Sequence, residues 1–239
     1  MDYKYNSIIL SKRDTGEADR MYTFYSLESG RIKALAAGVR KPNSKLAGSL
    51  EPITLAEIFI ARTKGSGKIT NSIVIDYYKQ IKNNPVRLEQ VFFAVRHFQK
   101  IIHDQEMDRE IFKLLKIFLE CIDNLPEDKI DAKIDILTSG FLFKLLKQAG
   151  YEIKLEQCMI CGQKIRPQGN FFSARSGGLL CQHCQTREKQ KIKVNSQTIK
   201  TLRIIQKNKL ESILKLKISL ADQAIIRQVF LDFYNWIIT

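Results

Sequence analysis

RMYTFYSLESGRIKALAA, residues 20–37, predicts a β-hairpin near the start of the chain. Its first half is rich in aromatic and β-branched residues, which favour strands, and Glu28-Ser29-Gly30 supplies the turn. The returning strand covers residues 31–37. Three further segments of the same character, residues 3–12, 53–62 and 69–77, give five short strands in about 75 residues. That density of strands predicts a small barrel or sandwich.

The hydrophobic period changes at Asn83-Asn84-Pro85, and the rest of the chain reads mainly as helices. Apolar residues recur every three to five positions from Val86 to Ile102, as a buried helix face requires. Pro85 suits the first position of a helix, and Gly150 suits the position after a helix end because it accepts a left-handed backbone. The predicted helices cover residues 85–102, 109–125, 129–149, 196–207 and 219–238. Residues 158–184 are predicted to be a knuckle-and-turn insertion without regular elements.

Charge is the strongest signal in the composition. The chain of 239 residues has 39 Lys and Arg against 25 Asp and Glu, a formal charge of +14. Residues 1–82 carry 14 basic and 8 acidic side chains, residues 83–157 carry 11 and 13, and residues 158–239 carry 14 and 4. Two basic ends around a neutral middle indicate a polyanionic partner, either nucleic acid or an anionic membrane surface. A solvated basic surface is the simpler alternative.

Membrane insertion and secretion are not expected. The charged start Met1-Asp2-Tyr3-Lys4 is unlike a signal peptide. No apolar run approaches the roughly 18–20 residues that a membrane span needs. The sequence therefore predicts a protein that stays in the compartment where it is made.

Four of the five cysteines form the pattern C-x2-C-x19-C-x2-C through Cys158, Cys161, Cys181 and Cys184. A two-residue gap lets both thiolates of a pair reach one ion, and Zn²⁺ prefers four ligands in a tetrahedron. The spacing predicts one structural Zn²⁺ per chain in a reducing compartment. Four thiolates leave no open position for catalysis or for His183. Reduced thiols lining a small core are the alternative.

Basic residues of the N-terminal part predict a DNA-binding groove. The loop Arg40-Lys41-Pro42-Asn43-Ser44-Lys45 is the most basic feature there, and a Gly-rich hairpin follows it. Such side chains bind phosphates and carry no sequence code. The predicted DNA-binding residues are Arg31, Lys33, Arg40, Lys41, Lys45, Arg62, Lys64 and Lys68. A second basic stretch, residues 187–217, is predicted to be either a further contact or a solubilising surface.

No arrangement of residues in the sequence predicts catalysis. A phosphate-binding loop, a dinucleotide fingerprint, an HExxH motif and a GxSxG motif are all absent. His97 and His103 lie in helical sequence without an obvious acid or nucleophile partner, so structural or surface roles are expected for them. The sequence predicts a protein that is not an enzyme.

Several motifs resemble the bacterial RecO family. Gly16-Glu17-Ala18-Asp19-Arg20, Gly38-Val39-Arg40-Lys41-Pro42 and Leu50-Glu51-Pro52 are similar to its N-terminal module, and Cys158-x2-Cys161-Gly162 with Gly177-Gly178-Leu179-Leu180-Cys181-x2-Cys184 is similar to its zinc segment. The resemblance implies an α+β multidomain fold. It comprises a five-stranded OB-fold barrel at residues 1–82, a helical domain at 83–157 and 185–239, and a four-cysteine zinc finger inserted at 158–184.

The resemblance also implies a function. RecO proteins are recombination mediators of the RecFOR pathway that bind single- and double-stranded DNA and anneal complementary strands. With RecR they help to load RecA onto DNA coated by single-strand-binding protein (SSB), in the bacterial cytoplasm at the nucleoid. The family often has a basic residue where this chain has Ala37, which predicts the loss of one phosphate contact. Apart from the resemblance, the near-neutral helical middle has wide apolar faces that include the adjacent Phe92 and Phe93, which predicts that protein partners dock there. A broad, fully buried face is the alternative.

Two other functions fit the same residues. One is a zinc-ribbon RNA-binding or transcription accessory protein, and the other is a scaffold whose charge is incidental. Competition between DNA and RNA distinguishes a RecO-like protein from the RNA-binding alternative, because RecO-like behaviour requires DNA. Salt dependence distinguishes a RecO-like protein from the scaffold, since a scaffold would show no steep loss of nucleic-acid affinity with salt.

Overall fold

The computed structural model describes residues 2–61, 67–102 and 107–238 of the chain. The chain folds into two compact units. The N-terminal unit comprises Met1–Leu88 and Ile102–Asp123, and the C-terminal unit comprises Glu89–Ile101 and Asn124–Thr239. One helix therefore contributes its first turn to the N-terminal unit and the rest of its length to the C-terminal unit.

The N-terminal unit has the strands β1 (Asp2–Thr15), β2 (Asp19–Ser26), β3 (Gly30–Ala36), β4 (Leu55–Ala61) and β5 (Lys68–Asp76). They form a closed barrel in the order β1-β2-β3-β5-β4. The pairs are antiparallel except β3 with β5, which meet in parallel at Leu35 and Lys68. Closure leaves the barrel without a continuous open sheet edge.

Large and small side chains alternate inside the barrel. Tyr22 lies opposite Ala34 across β2 and β3, and its ring stacks on Phe24 with centroids 6.1 Å apart. All three of these side chains are fully buried. Because neighbouring strand residues point to opposite faces, the intervening Thr23, Lys33 and Leu35 face outwards. The inner packing thus determines which residues reach the outer surface.

A buried arginine holds the helices of the N-terminal unit together. These helices are α1 (Lys79–Asn83), the first turn of α2 (Pro85–Ile101), and α3 (Arg109–Asp123). Arg87 is only 2% exposed, and its guanidinium donates to the carbonyls of Ile122 and Asp123 at 3.0 and 2.6 Å. These carbonyls end α3 and have no partner within the helix, so Arg87 caps it.

Aromatic and aliphatic residues form the core of the C-terminal unit. His97 of α2 packs against Phe230 and Tyr234, and Phe98 packs against Phe141. The helices that complete this core are α4 (Ile130–Gln148), α5 (Ser196–Lys207) and α6 (Leu220–Ile238). His97 is nine-tenths buried with Nδ1 2.8 Å from the Phe93 carbonyl, which supports the structural role predicted for it. His103 lies outside the described residues.

A small sheet in the C-terminal unit corrects one prediction. The cysteine segment 158–184 was predicted to lack regular elements, but it contains β6 (Asn170–Ser173) and β7 (Gly178–Leu180). They form an antiparallel sheet with β8 (Ile192–Val194) in the order β7-β6-β8. Strands of three or four residues are too short to show a periodic pattern. Phe172 anchors the sheet on α6, edge to face with Phe233 at 6.1 Å.

The predicted fold class is confirmed: a five-stranded OB-fold barrel precedes an α-helical region that carries a four-cysteine insertion. The domain boundaries at residues 82, 157 and 184 stay a prediction. Across the described part of the chain, no helix combines the length and the apolar character that crossing a membrane requires.

Candidate metal centre and nucleic-acid interface

Four thiols converge in the C-terminal unit. The Sγ atoms of Cys158, Cys161, Cys181 and Cys184 all lie within 4.8 Å of one another. Those of Cys161 and Cys181 are 3.9 Å apart. Zn–S bonds of about 2.3 Å in a tetrahedron separate the sulfurs by about 3.8 Å. The arrangement therefore fits one tetrahedral metal ion.

Tight turns place each pair of thiols. The N–H of Gly162 donates to the Cys158 carbonyl at 2.9 Å, and Gly162 has a φ of 71°, which only glycine adopts without strain. The N–H of Cys184 donates to the Cys181 carbonyl at 3.1 Å in the second turn. The two-residue gaps in the sequence thus become two similar knuckles that face each other.

The electrostatics around Cys158 favour a thiolate. Burial raises the pKa of this thiol, but N–H groups of Cys161, Cys181 and Ile160 that point at the sulfur lower it, and the balance brings the pKa to about 6. Burial and the neighbouring thiols raise the pKa of Cys184 instead. A cation among the four sulfurs would stabilise the thiolate form of both Cys158 and Cys184, because metal ligation deprotonates thiols outright.

Two glycines bring the second pair of cysteines into position. Gly177 has a φ of 69° and its carbonyl accepts the N–H of Lys154 at 2.9 Å. A Cβ on Gly178 would lie 2.5 Å from the Lys154 carbonyl oxygen. The backbone of Lys154 approaches the strand that leads to Cys181 only because position 178 has no side chain.

Replacing Gly178 with alanine is expected to destabilise the protein by about 1–3 kcal/mol, the usual cost of overpacking. The extra methyl forces Lys154 and β7 apart. Thermal or denaturant unfolding measures the change. Gly48→Ala is the matched control, because a Cβ at position 48 meets nothing within 4 Å. Equal stability of the two variants would contradict the close approach.

Cationic side chains lie on the outer face of the barrel. Arg13, Met21, Leu35 and Lys68 are successive cross-strand neighbours on β1, β2, β3 and β5. Thr23 and Lys33 form the next pair on the same face. Arg13, Lys33 and Lys68 are exposed. We call the surface of these six residues the barrel face.

Sequence reasoning missed Arg13. It predicted that the first strand ends at residue 12, because Asp14–Gly16 has the composition of a turn. The strand continues to Thr15, and Arg13 pairs with Met21. The alternation that puts Tyr22 inside the barrel places Met21, and therefore Arg13, outside. The pairing of Arg13 with the outward-facing Met21 is therefore the signal that places Arg13 on the outer surface.

The basic loop is held by the turn between β1 and β2. Arg40 N–H donates to the Ala18 carbonyl at 3.0 Å, and Gly38 N–H donates to Asp19 at 2.7 Å. The Arg40 guanidinium lies 3.5 Å from Asp14 Oδ2. Lys41 and Lys45 are exposed. Two motifs far apart in sequence thus form one structure, with Arg40 partly neutralised and both lysines at the surface.

Arg31 is placed differently from the other predicted DNA-binding residues. It is half-buried, and its guanidinium donates to the Ile102 carbonyl at 3.1 Å. The nearby Tyr25 is fully buried with its hydroxyl 3.5 Å from the Asp108 carbonyl. This end of the outer surface of β2 and β3 is therefore covered within the N-terminal unit. Arg62 and Lys64 lie outside the described residues.

Fold and site define an OB-barrel protein whose helical region carries a four-cysteine centre. Comparison with known families gives two matches: residues 1–78 match the model described as recombination protein O N terminal, and residues 98–238 match recombination protein O C terminal. The chain belongs to the recombination protein O (RecO) family, and the resemblance seen in the sequence is confirmed.

Curated relatives match this chain over most of their own length. The DNA repair protein RecO of Dehalococcoides mccartyi strain BAV1 is 33% identical over 219 residues, 91% of this chain and 83% of the relative. Proteins of the same name from Desulforamulus reducens and Oceanobacillus iheyensis are 28% and 27% identical. The matches cover 91% and 97% of this chain, and 82% and 87% of those relatives.

Proposed function

We propose that this protein is a DNA-binding recombination mediator of the RecFOR pathway. It binds single- and double-stranded DNA, anneals complementary strands and, with RecR, helps to load RecA onto single strands coated by SSB. The observation that carries the proposal is the barrel face, where the cations Arg13, Lys33 and Lys68 surround Met21 and Leu35. Membership of the RecO family supports the same function.

The barrel face suits contact with the DNA backbone. Ammonium and guanidinium groups bind phosphates of any sequence. The half-buried Met21, Thr23 and Leu35 offer a weakly polar surface between the charges, against which sugars and bases pack without being read. A strand held by its phosphates keeps its base edges available for a complementary strand. Annealing needs this availability and no bond chemistry, so the proposed function is not enzymatic.

The four cysteines hold one structural Zn²⁺ per chain in this proposal. The ion would join the two knuckles and fix β7, whose Leu180 packs on Cys158 and Cys184. All four positions of a tetrahedral ion are then filled by thiolates, so the metal has no place for water or substrate. Its contribution is to the stability of the C-terminal unit.

Protein partners are proposed to dock on apolar residues of the helices. Phe92 is 40% exposed, whereas the adjacent Phe93 packs under the Arg227 guanidinium at 4.6 Å. Trp236 is also exposed, at 55%. Exposed aromatic rings are frequent anchors of protein interfaces. RecR and SSB are the proposed direct partners, RecA is an indirect one, and the proposed location is the bacterial cytoplasm at the nucleoid.

Salt dependence and competition test the proposal. If about five cations reach phosphates of one strand, the logarithm of the affinity constant will fall with log salt at a slope of about −3 to −4. Fluorescence anisotropy with a labelled oligo-dT measures this slope. Unlabelled single-stranded DNA should displace the probe better than RNA of equal length. Preference for RNA would favour an RNA-binding accessory protein, and a flat salt response would favour a scaffold.

A further inference from the structure

The four-cysteine segment 158–184 and the residues that follow it up to 193 form a strongly basic stretch. From Cys158 through Lys193 the sequence has seven lysines and arginines and one carboxylate, that of Glu188. Glu188 Oε1 accepts a hydrogen bond from Ser176 Oγ at 3.0 Å, which holds the carboxylate against its own segment. A zinc ion with four thiolates would subtract two of the six excess positive charges. The surface of this segment therefore remains cationic.

An aromatic ring lies among these charges. Phe171 of β6 is half-buried and is the cross-strand neighbour of Lys193 on β8, so both side chains point to the same face of the sheet. Lys191 Nζ lies 5.9 Å from the Phe171 ring centroid and donates to the Glu188 carbonyl at 2.9 Å. Lys193 is exposed to solvent. Two ammonium groups thus border one partly exposed ring.

The packing beneath Phe171 makes the ring a fixed feature. Phe171 lies opposite Leu180 on β7, and it packs on the cluster formed by Cys158, Leu180 and Cys184. The opposite face of β6 is anchored by Phe172 on α6. A ring held on one side and open on the other, beside cations, is how proteins stack an unpaired base and bind its phosphates.

We propose that Phe171, Lys191 and Lys193 form a second contact for single-stranded DNA, within the C-terminal unit and separate from the barrel face. This inference rests on the proposed function, and it gives annealing a further physical basis, because two strands bound to one protein meet at a raised local concentration. Single strands are favoured over duplex, since a base stacks on a protein ring only when it is not stacked within a helix. One strand contacts the barrel face and the second contacts this surface.

The test uses the full chain with its barrel face disabled by Arg13→Glu and Lys68→Glu. Oligo-dT binding by this background is expected to be weak but measurable and salt-dependent. Adding Phe171→Leu, Lys191→Gln and Lys193→Gln should lower the remaining affinity at least tenfold, because a stacking contact and two phosphate contacts are lost. Leucine keeps an apolar side chain against the cysteine cluster, and metal content with circular dichroism checks the fold.

Lys154→Gln with Lys207→Gln, in the same background, is the matched control. It removes the same charge from the C-terminal unit, but these lysines face Glu152 at 3.6 Å and Glu156 at 3.2 Å. The control should retain the remaining affinity within about twofold. The inference is overturned if the background has no remaining affinity, or if the control loses as much as the Phe171 variant. Failure of the unmodified protein to bind DNA at all would instead contradict the proposed function.

Discussion

Cys158→Ser is expected to abolish metal binding and to lower the melting temperature by roughly 10 °C. Small zinc domains bind their metal with apparent free energies of about 10–16 kcal/mol, so losing one ligand removes much of what holds the two knuckles. A loss of about 3 kcal/mol or more shifts the melting temperature of a chain this size by that amount. Metal analysis and a thermal melt measure both effects. Proteolysis should begin within residues 158–184.

Cys121→Ser is the control for this prediction. Cys121 is a half-buried residue of α3 in the N-terminal unit and takes no part in the four-thiol cluster. The control variant should keep one Zn²⁺ per chain. The prediction of a structural zinc site is wrong if the unmodified protein, purified without chelator, contains no metal. It is also wrong if Cys158→Ser has the same melting temperature as the control.

Reversing Arg13 and Lys68 to glutamate is expected to weaken binding of a single strand about a hundredfold near 0.1 M salt. Each change removes one phosphate contact and places a negative charge beside the strand, and like charges across an interface cost several kcal/mol. The salt slope should shrink by about 1.4, at about 0.7 for each lost contact. Both side chains are exposed, so the fold should survive.

Arg40 and Lys41 are the next pair to reverse, with one difference. Arg40 lies beside Asp14, whose pKa is held below its ordinary value by a hydrogen bond from Arg20 and by the charge of Arg40. Glutamate at position 40 would face this carboxylate and disturb the loop as well as the DNA. Lys215→Glu with Lys217→Glu, in the C-terminal unit, is the control. If that pair abolishes binding while the barrel reversal leaves it intact, the DNA site is assigned to the wrong unit.

Local chemistry explains what the sequence could predict. Strand positions followed from aromatic and β-branched runs between turns, and each predicted strand agrees with the structure to within about three residues. The start of α2 followed from Pro85, and its end and that of α3 were predicted to within two residues. The convergence of the thiols followed from ligand spacing, because two knuckles that share one ion must meet in space.

Features that depend on distant partners could not be predicted. The charge of Arg31 predicted a DNA contact, which stays a prediction, and gave no sign that its guanidinium donates to a carbonyl 71 positions along the chain. Arg87 caps a helix that ends 36 positions later. Gly178 is part of the motif before Cys181, and only the structure shows that its missing side chain admits the Lys154 backbone. In each case the tertiary neighbour, which no local pattern encodes, determines the role.

Strand annealing, measured with and without SSB, tests the central claim most directly. Two complementary labelled single strands are mixed with the unmodified protein, and duplex formation is followed by energy transfer. The account predicts faster annealing of bare strands and of strands coated by SSB, and loss of both effects in the Arg13→Glu, Lys68→Glu variant. Binding of DNA without acceleration of either reaction would show that the protein is a DNA-binding module and not a recombination mediator.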